Sequence, residues 1–324
     1  MNLFEYTYSL VRQIPLRKIS TYGAVAIALG DKVAARAVGR MMNQNPNADD
    51  MPCFKIVHSD GRLGGFGLGI DDKIRRLKQD SIHVNKGKIV NFENVFFDDF
   101  RTEYPLKTLR EEQINISKNI SLQDDFGEIE TVAGIDVAYP DNEFHEACGA
   151  CVVLDYHTMQ VIEESVVFSP TDFPFISTYF SYRELPIVQK LMNHLRSTPS
   201  LILLDGNGII HPIRCGFASH AGITLDIPTI GVAKTLLYGT VKNSQVIIDK
   251  EQRGYAFYKK QGTRPIYVSP GHRVSLTTSL DVVKHLSSSK IPEPLRLAHH
   301  LAKKNLQKNQ QLIAGDHRDV MIAK

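Results

Sequence analysis

Three acidic residues in this sequence have the types and positions of metal ligands. Asp205 directly follows the apolar run Leu201–Leu204, which predicts a buried strand that ends at a carboxylate. Asp136 interrupts the mostly apolar run 131–139, and a charge inside a buried strand needs a partner or a cation. Glu184 lies at the entry to a predicted helix. Three carboxylates from separate elements suit Mg²⁺ or Mn²⁺ and metal-assisted hydrolysis of a phosphodiester.

Each of these carboxylates also has an ordinary structural explanation. Asp205 could be a turn residue between core strands, and Glu184 could be a helix-start residue favoured by the helix dipole. Asp136 could be half of a buried ion pair with Arg183. The occurrence of all three in one chain favours the metal site. We therefore expect them to converge on one Mg²⁺, with Mn²⁺ as an alternative.

Five sequence segments distinguish the C-terminal two thirds of the chain. They are, in chain order, VAGIDVAY, FSYRELP, DGNGIIHPIRCGFASHAG, IPTIGVAKTLL and YVSPGH. Residues 104–310, which contain all five, resemble the endonuclease V family. The resemblance implies a ribonuclease-H-like α/β domain with a mixed central sheet. It also implies cleavage of the second phosphodiester bond 3′ to deoxyinosine and other deaminated bases in DNA.

The same resemblance implies roles for individual residues. Six polar residues match the family's active centre: Asp136, Glu184 and Asp205 as metal ligands, and His211, Lys234 and His272 as further active-centre residues. Phe175 matches the aromatic wedge that enters the base stack where the lesion is extruded. The family's Pro-Tyr-Ile-Pro-Gly run is Pro-Phe-Ile-Ser-Thr here, at residues 174–178. The polar residues before it predict that Phe175 lies in a loop and not in the core.

The first 45 residues have the pattern of two helices joined by a turn. Ser20-Thr21-Tyr22 predicts the cap of a helix that runs to Leu29, Gly30 predicts the turn, and Asp31 predicts the start of a second helix. Three basic residues recur every four positions, which predicts one basic helix face: Lys32, Arg36 and Arg40. A basic face on a helix-turn-helix favours nucleic-acid binding over a merely solvated surface.

Residues 1–85 resemble the DNA-binding domain of O6-alkylguanine-DNA alkyltransferases. Four segments match in order, at residues 14–30, 34–46, 51–57 and 59–67. The resemblance implies a winged helix-turn-helix that enters the minor groove and flips an alkylated guanine. It implies that Tyr22 rotates the phosphate, Arg36 fills the gap in the stack, Asn45 braces the hinge, and Cys53 accepts the alkyl group.

The chain departs from the alkyltransferase pattern next to its nucleophile. The usual Pro-Cys-His-Arg is Pro52-Cys53-Phe54-Lys55 here, and Asp80 stands where the carboxylate partner of the histidine is a glutamate. The reaction needs a thiolate, and a free thiol has a pKa of about 8.5. A helix N-terminus, Lys55 or Lys73 would have to stabilise it. The first half is therefore either an alkyl acceptor or a non-catalytic lesion sensor that delivers the nuclease.

Composition and domain organisation agree with an intracellular DNA repair protein. With 324 residues, the chain is long enough for two domains, and we predict an alkyltransferase-like domain at 1–100 and an endonuclease V domain at 104–324. The stretch 92–100 predicts an edge strand, and residues 106–120 an amphipathic helix. Four cysteines and no long apolar run favour a cytoplasmic protein that does not enter a membrane. The two resemblances imply that its partner is double-stranded DNA with deaminated or O6-alkylated bases. The sequence leaves open whether the nuclease prefers inosine in DNA or in RNA, and whether the protein is oligomeric.

Overall fold

The computed structural model describes residues 1–45, 47, 49–140, 146–260 and 262–322, with side chains up to residue 312. Two compact units are present. The N-terminal unit comprises Met1–Glu112 and the segment Asp172–Ser177, and the C-terminal unit comprises Gln113–Thr171 and Thr178–Lys324. The predicted domain boundary at residues 100–104 stays a prediction.

The N-terminal unit is mainly helical. Its described helices are Leu3–Val11 (α1), Tyr22–Leu29 (α2), Ala35–Asn43 (α3), Ile70–Gln79 (α4), Phe92–Val95 (α5) and the first part of Pro105–Ser117 (α6). Its described strands form two short pairs: Ser20–Thr21 (β1) parallel to Ile56–Val57 (β2), and Val84–Asn85 (β3) antiparallel to Lys88–Ile89 (β4). Short 3₁₀ turns lie at Lys32–Ala34 and Pro52–Lys55.

Local signals set the ends of α2. The Thr21 hydroxyl accepts a hydrogen bond from the Ala24 N–H at 3.0 Å, which caps the helix start. Gly30 ends the helix with a φ of 108°, a left-handed conformation that glycine adopts at little steric cost. Asp31 then caps the 3₁₀ turn, and α3 begins only at Ala35. The three basic residues every four positions therefore do not lie on one continuous α-helix, because Lys32 belongs to the 3₁₀ turn.

The prediction of an edge strand at residues 92–100 is wrong. This stretch begins with α5 and continues as extended chain in which Phe96 makes one isolated bridge with Ile19. Asn91 precedes the helix with a φ of 52°. Aromatic content suggested a strand, but the left-handed turn at Asn91 redirects the backbone before a ladder can form. The side chains of Phe92 and Val95 pack against a small core that contains Ile19.

The C-terminal unit is built on a mixed sheet, nine-stranded within the described residues, in the order β10-β11-β12-β13-β9-β8-β5-β6-β7. The strands are Thr131–Ala138 (β5), Ala147–Asp155 (β6), Val161–Ser169 (β7), Leu201–Leu204 (β8), Thr229–Ala233 (β9), Thr240–Lys242 (β10), Gln245–Ile248 (β11), Glu251–Phe257 (β12) and Ile266–His272 (β13). The helices are Phe180–His194 (α7), Phe217–Leu225 (α8), Leu276–Leu286 (α9) and Glu293–Ile322 (α10). Strand β5 is parallel to β8, and β8 is parallel to β9, whereas the other pairs are antiparallel.

Helices cover both faces of the central strands. Ala133 and Ile135 of β5 face a core that α7 and α8 complete, whereas Val132 faces a second core that α9 and α10 complete. This alternation is the period of two that a strand imposes on its side chains. Because both faces are buried, β8 is apolar throughout, as the run Leu201–Leu204 predicted. Cys148 and Cys151, spaced like a metal-binding pair, both lie buried in β6.

Gly134 allows α10 to lie close against β5. A Cβ at this position would lie 2.2 Å from the carbonyl carbon of Pro294, which is far inside van der Waals contact. The close approach brings the first turns of α10 over the strand that contains Asp136.

The prediction of an α/β chain with a large mixed sheet is confirmed. None of the described helices is both long and apolar enough to cross a membrane.

Candidate active sites

Strand register brings Asp136 and Asp205 next to each other. In the parallel pair of β5 and β8, Ile135 lies opposite Leu204, so the next residue of each strand is an aspartate. Asp136 is 7% exposed. Burial, and then the nearby charge of Asp205, raise the pKa of Asp136 to about 6. The two carboxylates therefore share a site, with Asp136 near the carboxyl end of β5 and Asp205 directly after β8.

Lys234 supplies a positive charge to this pair. It directly follows β9, the other parallel neighbour of β8, and its ammonium group forms an ion pair with the Asp205 carboxylate. Burial opposes the charge on Lys234, but Asp205 outweighs burial and raises the pKa of Lys234. The lysine side chain is half-exposed and can also reach a ligand.

Glu184 approaches the same aspartates from α7. Its side chain is buried, and its Oε1 accepts a hydrogen bond from the Tyr139 hydroxyl at 3.2 Å. Burial, followed by the charges of Asp136 and Asp205, raises the pKa of Glu184 well above its ordinary value. The Arg183 guanidinium lies 3.9 Å from the centroid of the Tyr139 ring. Three carboxylates thus lie near one another, two of them buried and Asp205 partly exposed.

His299 is a neighbour of Asp136 that the sequence did not reveal. Its Nδ1 lies 2.9 Å from Asp136 Oδ2, and the two residues are 163 positions apart. The sequence-based alternative for Asp136 was an ion pair with Arg183, and this histidine contact offers a different explanation for the buried carboxylate. The pair of adjacent histidines at 299 and 300 could have indicated a functional site. No nearby residue in the sequence, however, indicates that His299 contacts β5.

The other predicted histidines have backbone partners. His211 Nε2 lies 3.1 Å from the carbonyl oxygen of Thr178. His272 ends β13, and its Nδ1 accepts a hydrogen bond from the Ser121 N–H at 3.2 Å. Burial, and then the charge of Arg273, lower the pKa of His272. Their participation in the active centre stays a prediction.

The donor set fits a divalent cation on electrostatic grounds. Carboxylates whose pKa values are raised by burial and by neighbouring carboxylates gain from a cation between them, and oxygen donors are those that hard cations prefer. Among the described residues, however, no group of three histidine, cysteine, aspartate or glutamate side chains is arranged so that it could hold a metal ion as it stands. Lys234 and His299 contact one carboxylate each, so a cation would require these contacts to adjust.

A cavity of about 210 Å³ opens beside these residues. Asp205, Lys234 and His299 form its polar side. The remaining lining residues are mostly aliphatic: Val232, Ile291, Leu295 and the longer Arg296. The cavity gives a ligand access to the polar cluster.

The predicted alkyl acceptor, Cys53, lies in the 3₁₀ turn Pro52–Lys55 and is 1% exposed. The Asn45 amide nitrogen donates a hydrogen bond to Cys53 Sγ at 3.3 Å. Burial raises the pKa of the Cys53 thiol to about 11, although Asn45 and the positive charge of Lys73 oppose the rise. The thiol is therefore protonated at neutral pH in this conformation.

Two buried lysines near Cys53 have different surroundings. Lys55 forms a 2.7 Å ion pair with Asp80, so this carboxylate already has a cationic partner. Lys73 is fully buried, and its ammonium group donates to the carbonyl oxygens of Ile56, Gly64 and Gly65. Burial lowers the pKa of Lys73 to about 8, and Cys53 opposes that change. Of the two cations proposed from the sequence, Lys73 is the one that favours the thiolate.

The predicted DNA-contacting residues of the N-terminal unit differ in exposure. Arg36 is exposed on α3, whereas Tyr22 at the start of α2 is half-buried, and its ring lies 5.4 Å from the ring of His58. Phe175 is 45% exposed, as a loop position predicts. The segment that contains it is grouped with the N-terminal unit.

Two known protein families match most of the chain. The endonuclease V family model matches residues 114–300, and the model of the 6-O-methylguanine DNA methyltransferase DNA-binding domain matches residues 2–82.

Individual relatives show the same division. A Picrophilus torridus protein named bifunctional methyltransferase/endonuclease is 40% identical over 92% of this chain and 95% of its own length. A Thermoplasma volcanium protein of the same name is 37% identical over 97% of this chain and 94% of its own length. Among solved structures, Ciona intestinalis endonuclease V, in complex with a 24mer DNA containing an inosine followed by a ribo-adenosine, is 30% identical. It superposes with a TM-score of 0.60 over 64% of this chain and 99% of its own.

The chain therefore belongs to the endonuclease V family, as one of the bifunctional methyltransferase/endonucleases in which the nuclease follows a methyltransferase-type DNA-binding domain.

Proposed function

We propose that the C-terminal unit cuts the second phosphodiester bond 3′ to deoxyinosine and other deaminated bases in double-stranded DNA, with Mg²⁺ or Mn²⁺ as cofactor. The observation that supports this most directly is the proximity of Asp136 in β5, Glu184 in α7 and Asp205 after β8. Burial and neighbouring carboxylates raise the pKa values of Asp136 and Glu184 there. Ordinary turn or helix-start carboxylates would be solvated and would not repel one another in this way.

The three carboxylates would hold the cation, which supplies Lewis-acid polarisation of the scissile phosphate when bound. Tyr139 fixes Glu184 through its hydroxyl hydrogen bond, and His299 fixes Asp136. Lys234, half-exposed beside Asp205, can bind a phosphate oxygen as a point charge. His211 and His272 are proposed as further polar residues of this centre, and Phe175 as the wedge that offsets the stacking lost on base flipping.

We propose further that the N-terminal unit is a winged helix-turn-helix that binds O6-alkylguanine in DNA and transfers the alkyl group to Cys53. The thiolate sulfur attacks the alkyl carbon, the carbon–oxygen bond breaks, and guanine O6 keeps the electron pair. Asn45 and Lys73 support this role, because one donates to the sulfur and the other places a buried positive charge near it. Tyr22 and Arg36 are proposed to act on the flanking phosphate and on the gap left in the stack.

A lesion sensor is the second candidate for this unit, and specific observations favour it. The Cys53 thiol has a pKa of about 11, and Phe54 replaces the histidine that would take its proton. Asp80 is already paired with Lys55. Intact-mass measurement after mixing with O6-methylguanine duplex decides between alkyl transfer and lesion sensing. A gain of one methyl group in the native protein, absent in Cys53→Ser, requires transfer to Cys53.

The experiment for the nuclease is incubation with an inosine-containing duplex and Mg²⁺, followed by mapping of the products. The expected product is a nick one nucleotide 3′ to the inosine, and the inosine itself should remain in the strand. A matched inosine-containing RNA tests the alternative that the nuclease acts on inosine in RNA. The ribo-adenosine that follows the inosine in the Ciona intestinalis complex is the reason to test it. Faster cleavage of the RNA than of the DNA would reassign the substrate.

A further inference from the structure

The segment Asp172–Ser177 leaves the C-terminal unit and joins the other one. Thr171 before it and Thr178 after it both belong to the C-terminal unit, whereas these six residues group with Met1–Glu112. Within the segment, Phe173 and Ile176 are buried and Phe175 is exposed. The two buried side chains hold the segment in a defined conformation, in which Phe175 is exposed.

Contacts from α1 hold the beginning of the segment. The Asn2 amide nitrogen donates a hydrogen bond to Asp172 Oδ1 at 3.1 Å, and the Leu3 N–H donates to the Asp172 carbonyl oxygen at 2.8 Å. Asn2 is also the N-cap of α1, because its Oδ1 accepts a hydrogen bond from the Glu5 N–H. One side chain thus caps a helix and fixes Asp172.

Contact from α3 reaches the exposed aromatic ring. The guanidinium carbon of Arg40 lies 6.0 Å from the centroid of the Phe175 ring, within cation–π range. Arg40 belongs to the basic α3 of the DNA-binding domain, whereas Phe175 belongs to the sequence that resembles the nuclease wedge.

The chain re-enters the C-terminal unit at Thr178, whose backbone contacts a predicted nuclease residue. The carbonyl oxygen of Thr178 accepts a hydrogen bond from the Gln113 amide nitrogen at 2.9 Å and lies 3.1 Å from His211 Nε2. The segment is therefore one peptide bond away from backbone that contacts His211. Its conformation is coupled covalently to that part of the nuclease.

We propose that Asn2 and Arg40 are positioning residues for Phe175, so that the DNA-binding unit sets the conformation of the nuclease wedge. This proposal rests on the wedge function proposed above. With this role, the N-terminal unit contributes to the recognition of inosine, in addition to any role it has on alkylated DNA. Neither residue needs to touch the scissile phosphate to affect cleavage.

Fluorescence tests the positioning without any catalysis. The chain contains no tryptophan, so Phe175→Trp introduces a single reporter. Asn2→Asp keeps a good N-cap for α1 but replaces the donor to Asp172 with a like charge. It should increase acrylamide quenching of the reporter indole and lower its anisotropy, and Asp172→Asn in the same chain should restore both by exchanging donor and acceptor. Unchanged quenching in Asn2→Asp would overturn the proposal.

Kinetics test the consequence for the nuclease. Arg40→Gln should lower kcat/KM on an inosine duplex about two- to fivefold, the equivalent of an exposed cation–π contact, and less on single-stranded inosine DNA, where no stack must be opened. In a Phe175→Leu background the same change should have little further effect. Lys78→Gln, which removes an exposed positive charge from α4, is the matched control and should act equally in both backgrounds.

Additive effects of Arg40→Gln and Phe175→Leu, equal on duplex and single strand, would overturn the positioning role and leave Arg40 as an ordinary phosphate contact. Failure of the native protein to cut inosine DNA would instead overturn the nuclease proposal. The fluorescence result would still decide whether the N-terminal residues hold the segment.

Discussion

Burial and mutual repulsion determine the chemistry of the acidic residues in the C-terminal unit. Asp136 and Glu184 are both buried, and burial together with the charge of Asp205 raises the pKa of each. Such an arrangement opposes stability in the absence of a cation and favours cation binding. Asp205 is the member that also pairs with Lys234, which makes it the most informative residue to change.

Asp205→Asn should lower Mg²⁺-dependent cleavage of an inosine duplex by at least about 100-fold, because it removes a charged metal ligand. Mutation of residues that only hydrogen-bond to metal ligands already costs about 10–100-fold in metal affinity or activity. The variant should fold, because the amide is the same size. Product formation is measured beside thermal unfolding with and without Mg²⁺, where the native protein gains stability and the variant gains less. Asp281→Asn, an exposed carboxylate change in α9, is the control. Undiminished cleavage in Asp205→Asn would remove it from the site.

At Cys53 the raised pKa predicts a steep pH dependence of alkyl transfer. With a pKa of about 11, roughly one thiol in 10,000 is ionised at pH 7, because the ionised fraction falls tenfold for each pH unit below the pKa. The rate of methyl transfer should therefore rise about tenfold per pH unit between pH 7 and pH 9. Lys73→Met removes the nearby positive charge and should slow transfer further, with Lys78→Met on the same helix as control. A flat pH profile would mean that another group takes the thiol proton.

At the scale of elements, two contacts in the C-terminal unit position helices that contain polar residues of the site. One is the approach of α10 to β5 at Gly134, and the other is the contact between α7 and α8, where His220 Nδ1 lies 2.9 Å from the Ser181 hydroxyl. Neither involves the predicted catalytic carboxylates directly. Each positions an element that contains one of the polar residues of the site.

Gly134→Ala should destabilise the protein by about 1–3 kcal/mol, the usual cost of overpacking a core, because the new methyl would lie 2.2 Å from the Pro294 backbone. The shift of α10 should also weaken the contact of His299 with Asp136 and reduce cleavage. Gly127→Ala is the matched control, since a Cβ there meets nothing within 4 Å. Thermal unfolding and cleavage rates are compared for both variants, and an equal effect of the two would exclude close packing as the cause.

His220 should make the protein sensitive to acid. Burial lowers the pKa of His220 to about 4, so the unfolded chain binds a proton between pH 6.5 and pH 4 that the folded chain does not. The free energy of unfolding should therefore fall as pH falls through this window, by on the order of 3 kcal/mol. His220→Asn, which cannot titrate, should flatten this slope in chemical denaturation, whereas His157→Asn at an exposed position should leave it. A slope that His220→Asn does not change would assign the acid sensitivity to other groups.

At the scale of the whole molecule, two units with separate predicted chemistries share one chain. Arg36 lies on α3 of the N-terminal unit, and Asp205 directly follows β8 of the C-terminal unit. If alkyl transfer and phosphodiester cleavage use separate residues, loss of a residue that serves only one reaction should leave the other reaction intact.

Arg36→Ala should weaken binding to O6-alkylguanine duplex by about 1–3 kcal/mol if this side chain fills the gap left by the flipped base. Cleavage of inosine DNA should be retained, and conversely Asp205→Asn should still accept an alkyl group. Equilibrium binding, intact mass and nicking are measured on the same preparations. Unchanged binding of alkylated DNA by Arg36→Ala would return the residue to a solvated helix face.

The sequence alone determined what depends on neighbours within a few residues. Thr21, Gly30 and Asp31 set the turn between the first helices because caps and left-handed turns are local interactions. The apolar run Leu201–Leu204 determined a buried strand, and the charge that follows it indicated a site. Even here the 3₁₀ turn before α3 and the helix at Phe92–Val95 differed from the predicted elements, since short segments take their conformation from what packs on them.

Only the tertiary structure decided which distant residues meet. Strand order and register put Asp136 beside Asp205 and brought α10 across Gly134, so that His299 contacts a carboxylate 163 positions away. The same applies to the pairing of Lys55 with Asp80 and to the grouping of Asp172–Ser177 with the N-terminal unit. These contacts follow from which apolar faces bury one another, and that choice is made by the chain as a whole, because no short window of sequence contains both partners.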